Sequence, residues 1–206
     1  MASKTVVVIG DSLMSGVAGG VAASHALHLI ASERDVFFKN LSVPVQALGA
    51  VGGSGFNNSY MTDQLDNLNG FYGAAFTTII LQACTNDHGR NINWGDTYNA
   101  AVRILDYARA KAKKVLVLDA IWKESELTPN ASGWDLNTYR FFIAHAASLY
   151  PDVAHFAHRE NTVVGTAAGM SYFDASEAPN RTHLTTAGQR KYADWIKAEA
   201  AAAGFF

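Results

Sequence analysis

A chain of 206 residues, 49% hydrophobic and 17% charged, has room for one sizeable core and lies far from the compositions of disordered or fibrous proteins. Its net charge of −2 gives no electrostatic footprint for nucleic acid or an anionic membrane. Cys84 is the single cysteine, which rules out an intrachain disulfide.

Short apolar runs alternate with longer helical patterns along the chain, as in a parallel sheet with helices on both faces. Strands are expected at 5–9, 43–48, 77–81, 115–118 and 153–156, most of them too continuously apolar to be half exposed. Helices are expected at 17–32, 59–68, 97–112, 134–149 and 186–203. The third of these has Asp96 or Thr97 as N-cap and places Ala101, Ile104, Leu105 and Ala108 on one face. The basic cluster Lys111, Lys113 and Lys114 falls at its C-terminus, where cations suit the helix dipole. The last helix carries Tyr192, Trp195 and Ile196 on one face and ends near Gly204. Five such units predict one doubly wound α/β domain spanning 1–206, with no repeat or linker. The first nine residues lack the basic start and apolar stretch of a secretory signal. Cytoplasmic location is therefore the default expectation, and a secreted protein whose signal had been trimmed would read the same way.

Four segments carry chemistry. Gly10-Asp11-Ser12 follows the first strand, at the end of the sheet where open α/β folds hold their ligands. A serine there can expose its hydroxyl and present its own N–H to an anion, or simply cap the next helix. Residues 49–55 hold four glycines and permit close backbone approach, as a binding loop or as a plain turn. The loop is no phosphate cradle, because no Gly-Lys-Ser/Thr follows it. Cys84-Thr85-Asn86-Asp87 follows the third strand: Asn86 offers an amide donor at the same end of the sheet, and Asp87 can cap a helix or brace the loop. His183 stands just before the C-terminal helix in Asn180-Arg181-Thr182-His183. His25, His28, His155 and His158 read as structural, and His88 as a residue lining the site without acting.

In this order and spacing the four segments resemble the SGNH (GDSL-type) hydrolase family over the whole chain. The resemblance implies a flavodoxin-like three-layer α/β/α sandwich with a five-stranded parallel sheet. It also implies a serine esterase or acyl-hydrolase that needs no metal and no organic cofactor. Ser12 would be the nucleophile and His183 the general base. The oxyanion would be held by the N–H of Ser12, the N–H of Gly53 and the Asn86 side chain, with Gly52 replacing Gly53 if the alignment shifts by one.

Two positions depart from the family pattern. The third block usually opens with glycine, where this chain has Cys84; a positive φ would strain cysteine, so a slightly different loop is expected. The fourth block usually reads Asp-x-x-His, where this chain has Asn180. Three readings follow: Glu177 or Asp174 replaces the missing acid, Ser12 and His183 work as a dyad with Asn180 or a backbone carbonyl orienting the ring, or the enzyme is impaired. The expected partner is a small-molecule or carbohydrate ester, with no nucleic acid and no membrane. Trp94, Trp122, Trp134, Tyr172 and Phe173 fall in or near loops and could stack on sugar faces. A module that binds acylated glycans without turning them over is the rival reading.

Overall fold

The structure is a computed structural model and describes residues 4–15, 25–34, 36–42, 48, 61–63, 65, 68 and 76–205. Its centre is a five-stranded parallel sheet: β1 (Lys4–Ile9), β2 (Val36–Asn40), β3 (Thr78–Gln82), β4 (Lys114–Leu118) and β5 (Ala154–Ala157). The strand order is β2-β1-β3-β4-β5, the doubly wound order of flavodoxin-like sheets. Register runs Val8↔Ile80 between β1 and β3, and Ile80↔Leu116 between β3 and β4.

Alternation along the strands divides the core in two. Val7, Ile9, Ile79, Leu81, Val115 and Val117 pack on one face, against α4 (Trp94–Ala110) and α5 (Leu136–Ser148). Val6, Val8, Ile80, Leu116 and Leu118 pack on the other, against α2 (Ala26–Glu33) and α6 (Thr186–Ala202). Strands buried on both faces have no polar side to alternate with, which is why their sequences are unbroken apolar runs. Two short helices, α1 (Ser12–Ser15) and α3 (Thr85–Gly89), follow β1 and β3 directly.

Several expected boundaries move. The second strand is Val36–Asn40; of the expected strand 43–48 only Leu48 lies within the described residues. The long helix expected at 17–32 is represented by α2, and residues 16–24 lie outside the described set. Of the helix expected at 59–68, the described part is a 3-10 turn at Met61–Asp63 with isolated neighbours. The N-cap of α4 is Asn93, whose side chain accepts from the Gly95 N–H, and neither Asp96 nor Thr97 takes that position. Thr97 is instead buried, its hydroxyl donating to Asp87. Among the described residues no helix is long and apolar enough to cross a membrane.

Candidate active site

Ser12 opens α1 at the carboxyl end of β1, an interior strand of the sheet. Asp11 holds this turn: its Oδ1 accepts the Leu13 N–H at 3.0 Å, and its backbone carbonyl accepts from Met14 and Ser15. Gln82, at the end of neighbouring β3, locks Asp11 from the side. Its Oε1 accepts the Asp11 N–H at 3.0 Å and its Nε2 donates to Asp11 Oδ2 at 3.1 Å. Burial pushes the Asp11 carboxyl up to about 6, although the bonds from Leu13 and Gln82 oppose that rise. As first residue of a helix, Ser12 presents an N–H with no carbonyl one turn before it to satisfy it.

His183 reaches Ser12 from 171 positions away in the chain, its Nε2 lying 2.8 Å from Ser12 Oγ. A short antiparallel bridge between Phe173 and Leu184, both buried, pins the ends of the loop that carries the histidine. Outside that bridge, Thr185 donates its N–H and its hydroxyl to the Tyr172 carbonyl. Gly188 makes this docking possible, since a Cβ there would lie 2.3 Å from the Tyr172 carbonyl oxygen.

Inside the loop, Glu177 turns back on the histidine. One carboxylate oxygen is hydrogen-bonded to His183 Nδ1, and the other accepts the N–H groups of Thr182 and His183, each at 2.9 Å. Burial raises the Glu177 carboxyl, but these donors outweigh it and hold the group below the ordinary glutamate range. An ionised carboxylate can only accept, so Nδ1 carries the proton and Nε2 of a neutral ring is left to accept the Ser12 hydroxyl. The arrangement can draw a proton from Ser12 and stabilise the resulting imidazolium.

Asn180 does not serve the ring. Its residue is exposed, its N–H donates to the Glu177 carbonyl and its own carbonyl accepts from Thr182. Asp174 does not serve it either: Oδ1 accepts from the N–H and the hydroxyl of Ser176, capping the turn at Ala175–Glu177. The Ser176 hydroxyl and N–H draw its carboxyl below the ordinary aspartate range.

Asn86 lies in the first turn of α3, at the carboxyl end of the strand beside β1. Gly52 and Gly53 lie outside the described residues. Just before them, Leu48 donates its N–H to Asp87 Oδ2 at 2.9 Å, so the buried Asp87 braces the entry to the glycine-rich segment. Cys84 adopts φ +70°, the left-handed backbone that a glycine would hold without cost. The thiol is buried, and burial pushes it well above the ordinary cysteine range, which leaves it a poor thiolate nucleophile. His88 is buried, with Nε2 at 3.0 Å from the Thr128 carbonyl. Among the described residues no three His, Cys, Asp or Glu side chains form a set that could hold a metal ion.

Gln82, Lys123 and the pairing of Glu124 with Arg181 went unread in the sequence. Gln82 had a signal, as the polar end of an otherwise apolar strand. Glu124 and Arg181 join two loops: the Glu124 N–H donates to the Arg181 carbonyl, the Arg181 N–H donates to Glu124 Oε2, and the two charges lie 3.7 Å apart.

The fold matches a recurrent class of solved structures, the GDSL-like esterase and lipase fold. A protein from Lactobacillus plantarum aligns over 98% of both chains with a TM-score of 0.75 at 18% identity. The psychrotrophic esterase EstA from a Pseudoalteromonas species aligns over 97% of both chains, with a TM-score of 0.71 and 11% identity. A member of the lipolytic G-D-S-L family from Veillonella parvula covers 95% of this chain and 97% of its own, with a TM-score of 0.72 and 14% identity. No family model and no curated protein matches the sequence.

Proposed function

We propose that the protein is a serine ester hydrolase of the SGNH type. The single observation that carries this is His183, bonded through Nε2 to Ser12 and through Nδ1 to Glu177. Ser12 Oγ attacks the ester carbonyl while His183 takes its proton. The tetrahedral oxyanion is held by the Ser12 N–H, the Asn86 amide and an N–H from Gly53. His183 then protonates the departing alcohol, and water repeats the sequence on the acyl-enzyme to release the acid. Glu177 keeps the ring in the productive tautomer and offsets its positive charge.

Short acyl groups on a carbohydrate or small ester are the proposed substrates. Trp134, exposed just before α5, supports the carbohydrate reading; Trp94, edge to face with it, is stacked on Phe142 against the core. The rival reading, a binding module without turnover, rests on Asn180 and Cys84; Glu177 at Nδ1 favours the hydrolase by supplying a carboxylate that Asn180 lacks.

A fold neighbour is an esterase inhibited by monoethylphosphonate, which makes a phosphonate the natural probe. A fluorophosphonate should label the wild type, and Ser12→Ala should lose both labelling and hydrolysis of 4-nitrophenyl acetate. Labelling that persists in Ser12→Ala would remove the nucleophile assignment. A chain-length optimum at octanoyl or longer would remove the short-acyl reading.

A further inference from the structure

The loop after β4 runs between α3, which carries Asn86, and the loop that carries His183. It is tied to the first by the Thr128 carbonyl on His88 Nε2, and to the second by the Glu124–Arg181 bonds. Most cations around this loop are paired. Arg140 and Arg159 both donate to Glu126 Oε2, at 2.9 and 2.7 Å, and Arg181 faces Glu124. Lys123 differs. It is partly buried, it forms no hydrogen bond or ion pair among the described residues, and its Nζ lies 3.8 Å from where a Cβ on Gly89 would stand. Its backbone is held on both sides, by the Trp122 N–H on the Val164 carbonyl and by Glu124 on Arg181. The ammonium therefore lies against the end of α3, one turn from Asn86. Burial lowers its pKa, while the charge of Asp11, next to Ser12, opposes that fall. A partly desolvated cation without a partner costs free energy that a bound anion would recover.

We propose that Lys123 is a specificity-determining residue that selects esters carrying a free carboxylate close to the scissile bond. This rests on the ester-hydrolase reading above. Lysine acts as a point charge on a flexible stem, so the carboxylate can sit on the acyl side, as in a half-ester of a dicarboxylic acid, or on the leaving-group side. Two matched pairs separate these cases: 4-nitrophenyl hydrogen succinate against the neutral 4-nitrophenyl levulinate, and 4-acetoxybenzoate against its methyl ester.

For one pair, the ratio of kcat/KM for the anionic over the neutral ester should fall about tenfold from wild type to Lys123→Gln, with Lys123→Arg retaining most of it. A change below threefold in both pairs overturns the proposal, provided circular dichroism gives the variant a wild-type fold; Lys123→Met serves if it does not. Calorimetric binding of the same esters to Ser12→Ala, with and without Lys123→Gln, separates the two readings. Lys123-dependent binding of the anionic ester, with a wild type that hydrolyses none of these esters, would remove the hydrolase and keep the subsite. Hydrolysis without charge dependence would do the reverse.

Discussion

Glu177 is hydrogen-bonded to the His183 ring, while Asn180, at the aspartate position of the motif this chain resembles, is not. Asn180 keeps the motif's position and sits exposed; Glu177, three residues earlier, has the longer side chain and reaches the ring. The contrast predicts opposite sensitivities. Glu177→Gln should lower kcat by about 10³-fold or more, since it removes the charge that favours the imidazolium. Asn180→Asp should leave turnover within about threefold, because the new carboxylate would face solvent rather than the ring. Steady-state kinetics on 4-nitrophenyl acetate checks both, and a tenfold gain in Asn180→Asp would return the acid's role to that position. The sequence contained every residue of this site, yet it left three readings of the acid open. Choosing among them needs a side-chain direction inside a loop, and no periodicity encodes one.

The same limit shows at the level of elements. Strands β1, β3 and β4 were legible because burial on both faces leaves a continuous apolar run. Strand β2 was not: it lies at the sheet edge, with Phe37 59% exposed and Lys39 and Asn40 at its end. The β-branched and proline-bearing run after it looked more like a strand. Helix ends read better. Helix α6 finishes at Gly204 with φ +69°, the Phe205 N–H reaching back to the Ala200 carbonyl. Helix α4 closes with the same pair of bonds, Lys113 N–H to the Ala108 carbonyl and Ala112 N–H to the Arg109 carbonyl. Here an exposed alanine, Ala112, takes φ +51°. A left-handed alanine costs about 1–2 kcal/mol, of which glycine's greater freedom in the unfolded chain takes back part. Ala112→Gly should therefore stabilise the protein by about 0.5–1 kcal/mol, read as a melting temperature raised by a few degrees.

Over the whole molecule, the strand order reverses direction at β1 and β3, and the two loops that diverge there carry Ser12 and Asn86. Buried acids line the same end of the sheet. Asp119, just past β4, lies 3.8 Å from Arg140 Nε, and its Oδ1 has no hydrogen bond among the described residues. Burial pushes its carboxyl up from 3.8 to about 6, with Arg140 opposing. Between those values the folded state keeps a proton that the unfolded chain has lost, so this group's contribution to stability falls as pH rises through the window. Asp119→Asn should accordingly gain on the wild type as pH climbs from about 4 to about 6. Parallel thermal melts across that range test this, and a pH-independent difference between the two proteins would contradict it.

The bridge between Phe173 and Leu184 has one more consequence, for the order in which the site assembles. Glu177 and His183 lie six residues apart within a loop closed at its own neck, so their geometry needs only a short-range closure with a small entropic cost. The serine meets the histidine across 171 positions of chain, a contact that waits for the strands and both helical layers. During folding, or under mild denaturant, the Glu177–His183 pair can thus form before Ser12 reaches it.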